Sequence, residues 1–162
     1  CLKITYICVI IFNKNVFNIA IHIRQRMKIE NDVTWKYRGL DNSYFAQVLK
    51  STLRTLDSSK KIEIYIFSQG LESDFPEFSE IANIHFCLDM NPYDSFLHMV
   101  NADLLISSKS SFSYKPALIS KNIKICPKTF WHFYPDTSDY IKADNQGAFD
   151  LDGLNNQLGL IK

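Results

Sequence analysis

The chain has 162 residues, of which 46% are hydrophobic, so it can form one domain with a full core but is too short for two ordinary domains. Its formal net charge of +1 excludes a general electrostatic attraction to nucleic acid or to an acidic membrane surface, and an anion site would have to be local. The four cysteines show no CxxC or other metal-ligand spacing, which argues against structural zinc. Cys87 and Cys126 lie in apolar, strand-like runs, where we expect reduced, buried thiols.

Residues 1–17 contain one apolar run, from Tyr6 to Phe12. Its seven residues fall far below the roughly 20 that a membrane-spanning helix needs. We therefore expect no membrane span in this chain and interpret 1–17 as a connector or an edge strand. The stub of a signal or anchor segment is the alternative interpretation.

The rest of the chain alternates between short apolar runs and segments with helical spacing of apolar residues. The apolar runs predict five strands, at 18–23, 61–67, 84–88, 103–107 and 122–126. The helical patterns begin at Asp41, at Pro92 and, after a serine-rich turn, near Tyr114. We interpret 24–39 as a long loop and 68–78 as a loop leading to a short helical turn. Residues 136–162 are expected to form a C-terminal tail, whose last stretch, 151–162, is either a small helix or more tail.

Strands that alternate with helices indicate an α/β fold, a Rossmann-like parallel sheet with helices on both faces, which we place at residues 18–135. Ligands of such sheets bind beyond the carboxyl ends of the strands, an edge that here holds Arg24, Ser68, Asp89 and the turn 107–113. The chain lacks both the GxGxxG fingerprint and the P-loop motif. Hydride transfer with NAD and ATP hydrolysis are therefore disfavoured.

The turn from Ser107 to Ser113 has the composition of an anion site, because a buried strand ends there in small hydroxyl residues and a helix begins. The first N–H groups of a helix lack partners within the helix and lie at the positive end of its dipole. Ser110, Ser111 and Ser113 would add hydroxyl donors. An ordinary serine N-cap with solvated neighbours is the alternative.

Three stretches in this order resemble the nucleotide-sugar half of the fucosyltransferase superfamily: IHIR at 21–24, LDNSYFAQVL at 40–49 and ADLLISSKSSFSYKPAL at 102–118. The superfamily includes the α-1,2-, α-1,6- and protein O-fucosyltransferases, with an HxRRxD motif after one strand and an SSFS-like turn after a later one. The resemblance implies one half of a GT-B glycosyltransferase. It also implies GDP-fucose or a related nucleotide sugar as donor, a glycan hydroxyl as acceptor, inversion at the reacting carbon and no metal ion.

Within that resemblance, Arg24 matches an arginine of the motif and is the candidate catalytic group. A departing nucleoside diphosphate accumulates negative charge, which a guanidinium can clamp through two parallel hydrogen bonds. Ser110 and Ser111 would contact the opposite side of the phosphates, and Phe112 and Ser113 complete the matching turn. A surface ion pair with a loop carboxylate is the alternative for Arg24.

His22 and Asp94 are the candidate nucleoside contacts. His22 matches the histidine of the motif and would line the nucleotide pocket, unless backbone groups satisfy it within its strand. Asp94 resembles the acidic residue that accepts hydrogen bonds from guanine, whose amino and imino groups are donors. A plain N-cap is the alternative for Asp94, and Asp89 is a competing candidate for the guanine contact.

The chain departs from the family pattern at two positions, with Gln25 in place of the second arginine and Met27 in place of the aspartate, although Arg26 could supply some of the lost charge. The acceptor-binding domain of the family is also missing from this sequence. Two alternatives therefore stay open: a non-catalytic nucleotide-binding or interaction module of the same fold, and a polysaccharide pyruvyltransferase-like domain. Compatible compartments are the cytoplasm or, for a eukaryotic secretory enzyme, the Golgi lumen.

Overall fold

The computed structural model describes residues 12, 15–25 and 32–160. Its strands are β1 (Phe17–His22), β2 (Ile62–Ser68), β3 (Ile84–Leu88), β4 (Leu104–Ile106), β5 (Ile123–Pro127) and β6 (Tyr140–Ala143). Its α-helices are α1 (Asp32–Arg38), α2 (Asn42–Thr55), α3 (Pro92–Asn101), α4 (Ser111–Ile119) and α5 (Leu151–Leu160). Two short 3₁₀ turns, Glu72–Asp74 and Pro76–Phe78, precede β3.

The strands form one parallel sheet in the order β3-β2-β1-β4-β5-β6. Ile21, at the centre, pairs with Ile66 of β2 on one side and with Ile106 of β4 on the other. The predicted α/β class is confirmed, and the Rossmann-like arrangement is consistent with one half of a GT-B fold. Strand order reverses between β1 and β4, and ligands of open α/β sheets bind at the carboxyl end of such a reversal.

The sheet is buried on both faces, as its apolar strands require. Ile19 and Ile21 of β1 face one core together with α2 and Leu154 of α5. Ala20, the residue between them, faces the second core with Met99 of α3 and Ala117 of α4. The alternation of side chains along a strand thus places helices on both faces and leaves the carboxyl edge of the sheet to the loops.

Two segments differ from the sequence-based expectation. The predicted loop 24–39 contains α1, while residues 26–31 lie outside the described part of the chain. The predicted tail 136–162 contributes β6, which pairs with β5 from Lys124↔Tyr140 to Pro127↔Ala143. At its end the helical alternative is the one observed, as α5, which packs on α2. Most of the connector or edge strand expected at 1–17 also falls outside the described residues.

Within the described ranges, no helix has the length and apolar character needed to cross a membrane. Cys87 and Cys126 are free and buried, as their apolar surroundings predict. Burial raises the pKa of the Cys87 thiol to about 11 and that of Cys126 to about 12. Both side chains therefore belong to the second core as neutral groups.

Candidate functional site

A cavity of about 370 Å³ opens at the carboxyl ends of β1, β2 and β3, beside the start of α4. This volume is within the range of small-molecule sites. The residues that line it are His22, Ile23, Arg24, Gln25, Phe67, Ser68, Gln69, Asp89, Met90, Pro92, Ser95, Ser110 and Phe112. Their elements meet at the reversal of strand order, the position where the fold predicts a ligand.

A buried hydrogen bond joins the two sequence motifs across this reversal. Nδ1 of His22, at the end of β1, lies 2.9 Å from Oγ of Ser108 in the turn after β4. The N–H of Ser108 donates in turn to Oγ of Ser113 at 3.2 Å, and the Ser113 hydroxyl donates back to the Ser108 carbonyl. All three side chains are buried. The serine turn is therefore held in a fixed position against the end of β1.

His22 is a neutral hydrogen-bonding group in this setting. Burial, with a further contribution from the neighbouring Arg24 guanidinium, lowers the pKa of His22 to about 3. Since Nδ1 is engaged by Ser108, the Nε2 atom is the ring nitrogen left to face the cavity, which His22 lines. The Phe112 ring lies 5.2 Å from the imidazole, between centroids, and forms the adjoining part of the wall.

The end of β1 places Arg24 in the cavity wall. The preceding residue, Ile23, donates its N–H to the Phe67 carbonyl at 3.1 Å and accepts a 2.8 Å hydrogen bond from Oγ of Ser68. Among the described residues that line the cavity, Arg24 carries the only fixed positive charge and Asp89 the only carboxylate. Gln25 lines the cavity as a neutral amide, where the family pattern has a second arginine.

The serine turn presents its four candidate residues in different directions. Ser110 lines the cavity and caps α4, because its Oγ accepts a hydrogen bond from the Phe112 N–H at 3.3 Å. Phe112 lines the cavity as well. Ser111 does not, since its Oγ contacts Nε2 of His132 at 2.9 Å. Ser113 is fully buried inside the turn and also stands apart from the lining.

The two acidic candidates occupy different places. Asp89 lines the cavity directly after β3, in the left-handed backbone region with φ of 54°, and its N–H donates to the Ser68 carbonyl at 3.0 Å. Asp94 lies in the first turn of α3 and is not among the lining residues. It is not the helix cap either, because Oδ1 of Asn91 accepts from the Tyr93 N–H. The competing candidate, Asp89, is thus the one that borders the cavity.

Several residues near the site were not singled out from the sequence. Met90 and Pro92 form an apolar part of the wall, together with Phe67. Their position directly after Asp89, at the carboxyl end of β3, could have indicated that they lie near the site. No sequence pattern indicated that His132 would contact Ser111. The imidazole of His132 stacks on Tyr114, with 4.5 Å between ring centroids, and so extends the serine turn into an aromatic segment.

Within the residues that the structure covers, no group of three or more His, Cys, Asp or Glu side chains is arranged to hold a metal ion. Among the described residues, the cavity wall offers one guanidinium, one carboxylate, neutral amides, hydroxyls and apolar side chains. Comparison with known protein families, with characterised proteins and with solved structures found no match. The site therefore has to be interpreted from its own residues.

Proposed function

We propose that this chain is the nucleotide-sugar-binding domain of a fucosyltransferase-like glycosyltransferase and binds a GDP-sugar in the cavity at the end of β1. The observation that carries the proposal is the hydrogen bond between His22 and Ser108. It joins the two motifs on which the resemblance rests, at the position where a Rossmann-like sheet receives its ligand. Glycosyl transfer to a glycan hydroxyl would be the reaction that this binding serves.

The lining of the cavity suits a nucleoside at one side and phosphates at the other. Phe67, Met90 and Pro92 offer apolar contacts for a base. Asp89 would accept hydrogen bonds from the amino and imino groups of guanine, which both donate. We assign this role to Asp89 rather than to Asp94 because only Asp89 borders the cavity.

Arg24 and the first turn of α4 would contact the diphosphate. In the reaction, the bond between the sugar C1 and the β-phosphate oxygen breaks, and its electron pair leaves with the nucleoside diphosphate. The Arg24 guanidinium, the Ser110 side chain and the positive end of the α4 dipole would stabilise that charge. A hydroxyl oxygen of the acceptor forms the new bond to C1 and releases its proton to the surrounding water.

A non-catalytic nucleotide-binding module is the second candidate function. Gln25 favours it, because a neutral amide in the cavity wall replaces the second positive charge of the family pattern. One guanidinium and a helix N-terminus can bind a diphosphate in its ground state. Catalysis additionally requires donors that act on the charge developing in the transition state. Binding and transfer are therefore separable properties of this site.

Titration calorimetry with GDP, UDP and CDP tests the binding proposal. We expect GDP to bind more tightly than UDP or CDP. We also expect Asp89→Asn to lower the affinity for GDP more than Asp94→Asn does. Arg24→Ala should cost about 2 to 4 kcal/mol of GDP affinity because a charge-assisted pair is lost. Arg24→Lys should recover little, since an ammonium lacks the planar fork.

Exposed Arg54, in the last turn of α2, provides the matched control, and Arg54→Ala should leave GDP affinity unchanged. Guanosine, which lacks phosphates, should bind the Arg24 variants as it binds the original chain. The diphosphate proposal fails if Arg24→Ala lowers the melting temperature without changing GDP affinity. Equal affinities for the three nucleotides would remove the guanine assignment.

A further inference from the structure

A second depression lies on the carboxyl side of the sheet, between the first turn of α2 and the loop that follows β6. Its polar lining consists of Asp41, Ser43, Gln47, Asn145 and Gln146. None of these residues lines the cavity at the end of β1. The two sites therefore use separate side chains.

Hydrogen bonds and packing within the chain fix the conformation of the loop after β6. Oδ1 of Asp144 accepts hydrogen bonds from the N–H groups of Gln146 and Ala148, both at 2.9 Å. Gly147 adopts a φ of 84°, and a Cβ atom at this position would lie 3.0 Å from the Tyr44 carbonyl oxygen. The loop is thus packed directly on α2, and glycine at its closest approach avoids the strain that a Cβ atom would cause there.

The orientation of the Asn145 side chain is fixed by two donors. Nζ of Lys109 donates to Oδ1 of Asn145 at 3.0 Å, and Oγ1 of Thr129 donates to the same oxygen at 2.6 Å. A lysine ammonium can only donate hydrogen bonds, so the Asn145 side-chain atom that it contacts must be the amide oxygen and not the amide nitrogen. The Nδ2 group of the exposed Asn145 is consequently left as a donor toward a ligand.

Asp41 supplies an acceptor at the same depression. It occupies the N-cap position of α2, yet its side chain does not cap the helix. No hydrogen bond or ion pair of the exposed Asp41 carboxylate occurs within the described part of the chain. Gln47 donates its amide to Oγ of Ser51, which leaves its side-chain oxygen as a further acceptor.

We propose that this second polar site binds a neutral, hydroxyl-rich ligand, namely a saccharide. Each sugar hydroxyl both donates and accepts, and the site offers a carboxylate and amide oxygens beside an oriented amide donor. The Asp41 carboxylate disfavours a phosphate, and Tyr44 and Ala148 add apolar surface to the polar lining, which suits the C–H faces of a sugar ring. This proposal goes beyond the nucleotide site and does not depend on it.

Amide chemical-shift mapping by NMR on the whole chain tests the proposal. The probes are methyl β-galactoside, methyl β-glucoside, methyl N-acetyl-β-glucosaminide and lactose, titrated without nucleotide. We expect at least one of them to shift the amides of Asp41, Asn145 and Gln146. Asp41→Asn and Asn145→Asp should each lower the affinity for that sugar by about tenfold or more. The first variant loses the hydrogen bond to the Asp41 carboxylate, and the second loses the hydrogen bond from the oriented Asn145 amide.

Glu80→Gln removes a carboxylate at an exposed position outside both sites and should leave the sugar affinity unchanged. Gln146→Ala, also at an exposed residue, provides a second variant if Asn145→Asp disturbs the loop. The proposal is overturned if no probe shifts these amides, if the shifts map to the cavity at the end of β1, or if Asp41→Asn binds the sugar as well as the original chain does.

A parallel titration with GDP separates this proposal from the proposed function. Sugar-induced shifts at Asp41 and Asn145 in a chain that does not bind GDP would support the saccharide site and refute the nucleotide site. GDP binding without sugar-induced shifts would refute the saccharide site alone. In the Asp41→Asn variant, GDP affinity should be unchanged, because Asp41 lies outside the nucleotide cavity.

Discussion

Removing the Ser108 hydroxyl tests whether the hydrogen bond to His22 holds the two motifs together. Both side chains are buried, with 8% of His22 and 1% of Ser108 exposed. Ser108→Ala would leave the buried Nδ1 of His22 without its hydrogen-bond partner. The loss of a buried partner costs about 1 to 3 kcal/mol. For a chain of this size each kcal/mol lowers the melting temperature by roughly 2 to 4 °C.

A double-mutant cycle isolates this pair from other effects of the substitutions. His22→Leu removes the imidazole and replaces it with an apolar side chain of comparable size. It should destabilise the chain on its own, because Oγ of Ser108 loses this hydrogen bond and keeps only a 3.4 Å contact with Oγ of Ser113. The double variant lacks both members of this hydrogen bond, so neither substitution leaves the other member buried without its partner. The combined loss of unfolding free energy should therefore be smaller than the sum of the single losses by about 1 kcal/mol or more. Urea unfolding followed by circular dichroism measures each value.

Ser107→Ala is the matched control for this cycle. Ser107 is also fully buried and adjacent in sequence, but its hydroxyl contacts the Tyr134 hydroxyl at 3.2 Å rather than His22. The loss of unfolding free energy caused by Ser107→Ala should simply add to the loss caused by His22→Leu, with no coupling energy between the two substitutions. Additive losses for the Ser108 pair, or equal coupling for Ser107, would show that the contact between the motifs contributes nothing specific to the position of the serine turn.

Two further predictions concern acid stability and backbone conformation. Since the pKa of His22 is lowered to about 3 in the folded chain, only the unfolded chain takes up this proton between pH 6.5 and pH 3. The stability due to neutral His22 is thus present above about pH 6.5 and lost as the pH falls, by about 2 kcal/mol between pH 7 and pH 5. Urea unfolding at both pH values should show that loss in the original chain but not in His22→Leu. Gly147→Ala should lower the free energy of unfolding by about 1 to 3 kcal/mol, because Gly147 has a positive φ and lies close to the Tyr44 carbonyl. Gly159→Ala, at an open position of α5, should instead raise the free energy of unfolding by up to about 1 kcal/mol. Equal melting temperatures for the two glycine variants would contradict this contrast.

The strands of the central sheet could be predicted from the sequence because their signal is local. The run from Asn18 to Ile23 is apolar enough to indicate a strand buried on both faces, and the structure places β1 at Phe17–His22. β6 gave no such signal, since its YIKA sequence is short and partly polar and follows a polar segment. Its identity as a strand comes from pairing with β5, a contact that no local pattern encodes. α1 is similarly too short for a 3.6-residue period to be recognised.

The candidate site was predictable to the level of strand ends but not of side-chain directions. Arg24 and the serine turn follow β1 and β4, and parallel strands bring such ends to one edge. The difference between Ser110 and Ser111 depends on where the helix begins, because Ser110 is the extended N-cap residue and Ser111 is the first residue of α4. Ser110 lines the cavity, whereas the Ser111 hydroxyl contacts His132. Several serines in this turn could cap a helix, and the sequence contains no signal that selects Ser110 among them.

The charge in the cavity bears on the choice between binding and transfer. At neutral pH His22 is uncharged and Gln25 is an amide. Among the described residues of the cavity wall, Arg24 alone therefore carries a fixed positive charge. Under the proposed function, a diphosphate in its ground state would be held by that guanidinium and by the start of α4. The additional charge that develops on a departing diphosphate would meet no second cation within the described wall. A change of Gln25 to arginine should therefore raise the rate of any transfer or hydrolysis of GDP-fucose more than it raises GDP affinity.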